Sequence, residues 1–201
     1  SASCGGTFTA IGTVAAASFS HSSGGTGFFS GNFTSSGGFT FGSSQGLRFD
    51  GSFTAGSSTS MSGGSNDTII APGSRISAAG ISYSGGRALT ITGSTLDSRT
   101  GSASLTASPI TATSSVFTST SSLLFTGPDS VTLTGSTLTA GTTLSITPQL
   151  AVNVAGGSTL TGATTLVTSA TQAVTLSGST VIGTSELSIT APVASIFTNT
   201  E

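Results

Sequence analysis

Val131-Thr132-Leu133-Thr134-Gly135-Ser136-Thr137-Leu138-Thr139-Ala140 decides how this chain folds. Apolar and hydroxyl side chains alternate through its first four residues, the period of a strand that buries one face. A glycine then interrupts, where a tight turn demands positive backbone angles that other residues resist. The pattern returns as Leu89 to Leu96 and as Val174 to Val181, with looser copies between and before. Anchored on the glycine, the copies fall at Gly12, Gly31, Gly51, Gly73, Gly93, Gly135, Gly157 and Gly178, with Ser114 standing where one glycine is missing. Successive steps are 19, 20, 22, 20, 21, 21, 22 and 21 residues. A fixed period of this size marks a solenoid. One repeat cannot bury its own apolar side chains and must stack on its neighbours. The spacing therefore predicts an all-β chain, a single parallel β-helix (β-solenoid) of about nine coils with a repeat of 19–22 residues.

Within a coil the first strand points Leu89 and Ile91, or Val131 and Leu133, or Val174 and Leu176 inward, and its Thr residues outward. Past the Gly-Ser-Thr turn one inward residue returns, as Ile76, Leu96, Phe117, Leu138, Leu160 and Val181. A further strand carries Ala103 and Leu105, Leu123 and Phe125, Leu144 and Ile146, then Leu187 and Ile189. Pro109, Pro128, Pro148 and Pro192 mark bends, since a residue without a backbone donor sits outside the ladder. No stretch carries the apolar spacing of an amphipathic helix.

The repeat runs from end to end, so residues 1–201 read as one domain, Phe- and Gly-rich over 1–65 and rich in Thr, Ser, Leu and Val over 66–201. Nine of the 12 Phe precede residue 54: Phe8, Phe19, Phe28, Phe29, Phe33, Phe39, Phe41, Phe49 and Phe53. The early turn copies are one residue shorter, Gly51-Ser52-Phe53-Thr54-Ala55-Gly56 against Gly135-Ser136-Thr137-Leu138-Thr139-Ala140-Gly141, and a larger ring fills the space left. A stacked core column is the expected role of these rings, with Phe28 and Phe29 the candidates for an outward patch.

Composition excludes several functions. Charged residues are 5%, and every basic residue is an Arg (Arg48, Arg75, Arg87, Arg99), so a phosphate-neutralising groove has no material and nucleic acid is not an expected partner. The net charge of -2 argues against anionic membrane surfaces, and the apolar runs are too short to span a membrane. Disorder is disfavoured, because 35% of residues are hydrophobic and alternate in strand period. No basic-then-apolar leader opens the sequence, so any secretion signal is expected to have been removed. Cys4, the one Cys, excludes an internal disulfide and a cysteine-ligated metal cluster. Asn32 and Asn66 lie in Asn-X-Thr sequons, a pattern that chance produces readily in so Thr-rich a chain.

Catalytic, cofactor and metal constellations are not expected. His21, the one His, sits among Ser and Gly with no nucleophile-elbow pattern and reads as a solvated loop residue. The six carboxylates, Asp50, Asp67, Asp97, Asp129, Glu186 and Glu201, fall on different corners rather than facing each other as glycoside cleavage requires. Arg48 with Asp50, and Asp97 with Arg99, are expected as exposed ion pairs. There is no P-loop, dinucleotide fingerprint or EF-hand spacing.

The outward residues suggest a surface ladder of Thr90 and Thr92, Thr111 and Thr113, Thr132 and Thr134, then Thr175 and Ser177, interrupted at Asn153 and Ala155. Such an array resembles the ice-facing surfaces of antifreeze solenoids, although Thr is also simply a good strand former. Neither end of the repeat shows a helix or a charge cluster, so head-to-tail stacking of subunits is the expected way to satisfy the end coils. Cys4 and Phe8 at one end, and Ile196 and Phe197 at the other, are the candidate assembly residues, with Cys4 free to cross-link neighbours or carry a lipid.

At Val131-Thr132-Leu133-Thr134-Gly135-Ser136-Thr137-Leu138 and Ala173-Val174-Thr175-Leu176-Ser177-Gly178-Ser179-Thr180-Val181 the chain resembles the repeats of filamentous haemagglutinin-type adhesins, secreted bacterial right-handed β-helices. The resemblance covers residues 66–198 and implies the fold and an extracellular setting, without a particular receptor. The expectation is a secreted structural subunit that polymerises with itself, the alternative a module binding ice or a glycan surface.

Overall fold

Strands of this chain hydrogen-bond in parallel with the strand about one repeat further on: Leu89 lies beside Ile110, Ile110 beside Val131, and Val131 beside Val152. The structure, a computed structural model, describes residues 1–198. Over these the pairing winds all the strands into one sheet, a β-solenoid of about nine coils, with no helix among the described residues. Coils spaced at about 4.8 Å give a rod of roughly 40 Å.

A representative coil has three sides: Val131–Thr134 on a first face, Thr137–Ala140 on a second and Thr143–Pro148 on a third. The alternation read from the sequence sets what each side buries. Val131, Leu133, Leu138, Leu144 and Ile146 are buried, and their counterparts one coil earlier, Ile110, Ala112, Phe117, Leu123 and Phe125, lie directly against them. Each fully buried aliphatic chain contributes about 1.5–3 kcal/mol. Leu187, like the partly buried Ile189 beside it, departs from this. It holds the third-face inward register opposite Thr165, yet it is 47% exposed because no further coil covers it among the described residues.

The first corner explains the repeat. Positive φ occurs at Gly12, Gly31, Gly51, Gly73, Gly93, Gly135, Gly157 and Gly178, and at Ser114, the one non-glycine in that region among the described residues. At Gly31 and Gly51 a second constraint applies: an added Cβ would collide with the carbonyl of the corner glycine one coil back. The step of 22 before Gly157 reflects one inserted residue, Gly156, itself at positive φ.

Two kinds of coil follow from this corner. In the first three, the strands Phe8–Ala16, Gly27–Ser35 and Leu47–Ala55 run unbroken through it, and the next inward residue, Phe33 or Phe53, comes two places after the glycine. From the fourth coil onward the strand breaks, and the added residue is a buried serine: Ser74, Ser94, Ser115, Ser136, Ser158 and Ser179. These form an internal ladder. Ser136 Oγ donates to Thr134 O at 3.2 Å and accepts from Ser115 N at 3.2 Å, while Ser158 Oγ accepts from Ser136 N at 3.1 Å. Where the corner lacks this serine, aromatic rings fill the interior, with Phe33 stacked on Phe53 at 4.9 Å and Phe29 on Phe49 at 5.6 Å.

Candidate functional site

The end coils come first, because among the described residues their strands are paired on one side only. At one end, among the described residues, Ala2–Cys4 pairs only with Phe19–Ser23, and Phe8–Ala16 only with Gly27–Ser35. Inward register places Phe8, Ala10 and Val14 against the core with their outer sides uncovered, and all three are half-buried. Cys4 is a free, half-buried thiol whose Sγ donates to Gly6 O at 3.2 Å. No Asp, Glu, Arg or Lys precedes Arg48 in the sequence, so His21 is the one ionisable nitrogen side chain in these first coils.

At the other end, among the described residues, Thr180–Thr190 pairs only with Thr159–Thr168, and Ile196–Thr198 only with Val174–Ser177. Phe197 lies opposite Leu176 in the inward column and is 52% exposed, whereas Ile196 lies opposite Thr175 and looks outward from the first face. The two are thus neighbours with different roles, one on the coil's open top and one on its side. Ile182 and Val193, which the sequence did not single out, and Leu187, expected to point inward, add exposed apolar surface at this end. Glu201 lies outside the described residues.

The lateral faces carry hydroxyls in register. On the first, Thr90, Thr111 and Thr132 stand side by side, as do Thr92, Thr113 and Thr134, continuing through Asn153 and Ala155 to Thr175. Towards the first coils the same column becomes Ile69, Arg48, Phe28 and Thr9. Phe28 is the outward ring, with the Arg48 guanidinium 5.9 Å from its centre, and Phe29 is fully buried. The other faces carry ladders too: Thr137, Thr159 and Thr180 on the second, and on the third Ser60, Ser82 and Ser104 beside Ser84, Thr106, Thr126 and Thr147. These were legible from strand parity once the third strand was placed.

Two expectations need correction. His21 is not a solvated loop residue: it lies on Phe19–Ser23, 1% exposed, with its ring stacked on Phe8 at 4.0 Å, and burial lowers its pKa. The ion pair on Asp97 is made by Arg75, 3.3 Å away on the preceding coil, with Thr118 and Ser77 also donating to the carboxylate; Arg99 instead reaches Ala55 O. Arg48 and Asp50 form no such pair. Of the sequon residues, Asn32 is exposed on the second face, and Asn66 is exposed with its Nδ2 donating to Gln45 Oε1 at 3.1 Å.

No protein-family model matches the chain, and no curated protein or solved structure matches it at a significant level.

Proposed function

We propose that the chain is a non-catalytic structural subunit of an extracellular filament or sheath, lengthened by stacking coil on coil with further copies of itself. One observation carries this reading: among the described residues the strands of both end coils are paired on one side only, and side chains in inward register are uncovered there. Ala10 and Phe197 belong to the same inward column, as do Ala2 and Ile189, so the open top of one copy and the open base of another offer matching side chains. A head-to-tail contact of this kind does not close on itself and generates a fibre. The extracellular setting is supported by the haemagglutinin-like repeats.

Light scattering over a concentration series tests it. Mass should grow with concentration, and Phe197→Asp or Leu187→Asp should abolish the growth while leaving the strand-rich spectrum intact. A uniform monomer at high concentration overturns it.

The register of Thr90, Thr111 and Thr132, and of Thr92, Thr113 and Thr134, favours a second reading, a surface-binding face for ice or a glycan. Thermal hysteresis lost on Thr132→Tyr is its test; no hysteresis in the unaltered chain removes the ice version.

A further inference from the structure

His21 is packed in the interior as if it were one more aromatic ring. It stands opposite Ala2 on one side and Phe41 on the other, stacked on Phe8 and edge-on to Phe29 at 5.2 Å. Neither Nδ1 nor Nε2 has a hydrogen-bond partner. A buried neutral imidazole without partners is already unfavourable, and an imidazolium there would add a desolvated charge. What separates the ring from water is the first coil: the short strand Ala2–Cys4 and the Phe8 ring. Among the described residues that coil is paired on one side only and its inward side chains are half-buried, so it is the part of the described rod that opens at least cost here.

We propose that His21 makes the first coil an acid-sensitive latch: residues 2–16 close over the neutral imidazole and open when it takes up a proton. The elements packed against the ring offer nothing to hold the charge. Phe8–Ala16, Gly27–Ser35 and Phe39–Ser43 contain no titratable side chain, and Arg48 and Asp50 are on the outward side of the next coil. Ala2–Cys4 brings only the Cys4 thiol, with the amino group of exposed Ser1 before it. Burial lowers the folded pKa below the ordinary 6.5, so the closed coil keeps its full stability above about pH 6.5 and loses it as the pH falls below that value. Opening exposes the Phe29 and Phe41 rings beneath. The latch rests on the packing of the first two coils and not on assembly, although in a filament it would make the same end pH-dependent.

Amide hydrogen exchange on the full chain at about pH 7.5 and about pH 5.5, corrected for intrinsic exchange, tests it. If the open form titrates near 6.5, protection of residues 2–16 should fall at the lower pH, by at most roughly tenfold. Residues 89–148 should keep theirs. His21→Phe, which extends the Phe41 column, should abolish the response, and His21→Leu should do the same if the larger ring is not accommodated. Unchanged protection at the lower pH, an equal loss in residues 89–148, or the same loss in both variants would overturn the latch. A chain that is acid-sensitive in this way yet monomeric at all concentrations would sink the filament reading and leave the latch standing.

Discussion

Replacing Ser136 with Ala tests whether the internal serine ladder holds the corners together. In the wild type the Ser115 amide has Ser136 Oγ as its hydrogen-bond partner, at 3.2 Å, and Ser136 is 0% exposed. Alanine removes that acceptor from a site water does not reach, leaving a buried N–H unpaired at a cost of about 1–3 kcal/mol. The second bond lost, Ser136 Oγ to Thr134 O, matters less because Thr134 O still accepts from Ser114 N at 2.8 Å. The cost should therefore sit towards the orphaned amide, about 2 kcal/mol in all. Ser179→Ala makes the contrast: its Oγ donates to Ser177 O at 3.0 Å and no ladder amide depends on it, so about 0.5–1.5 kcal/mol is expected. Chemical denaturation gives the difference, and exchange of the Ser115 amide reports the same event locally, which matters because a solenoid need not unfold in one step. A loss below about 0.5 kcal/mol for Ser136→Ala, or a Ser115 amide equally protected in the variant, would refute the ladder's role.

Further substitutions probe the corners and the core. Ser114 at φ 49° bears a cost of about 1–2 kcal/mol that glycine avoids, partly offset by glycine's greater entropy when unfolded, so Ser114→Gly should stabilise by up to about 1 kcal/mol and raise the denaturation midpoint. The reverse change at Gly135, to Ala at φ 57°, should destabilise by about 1–2 kcal/mol in the same assay. Leu133→Ala empties a fully buried site and should cost about 2–5 kcal/mol. Leu187→Ala, at a site 47% exposed, should cost well under half as much in a dispersed monomer and rise towards the buried value if copies stack over it.

The coil was legible because one signal repeats at two scales. Alternation within Val131–Thr134 gives the strand, and recurrence at the corner gives the winding, so even Ser114 was placed correctly at a positive-φ position. What escaped depended on neighbours a full coil away. The serine after each corner glycine reads as a turn residue, yet the count of residues from glycine to the next inward side chain, two at Phe33 and three at Leu138, marks it as an extra interior position. His21 carries the same parity as Phe19 on its strand, and weighing it by its Ser-rich surroundings rather than by parity put it in solvent. Asp97 was matched to Arg99 on its own chain segment, but residues two apart on a strand are about 7 Å apart while adjacent coils are about 4.8 Å apart, so the partner comes from the coil before. The assembly residues follow the same logic: register separates Phe197 from Ile196, which side-by-side positions in the sequence do not.

Electron microscopy of the purified chain at rising concentration tests the central proposal most directly. Stacking of the open end coils predicts unbranched filaments one rod wide, with a repeat of about 4.8 Å along the axis running through the junctions between copies. A field of separate rods roughly 40 Å long at every concentration, or filaments whose strands run along the axis instead of across it, would contradict it.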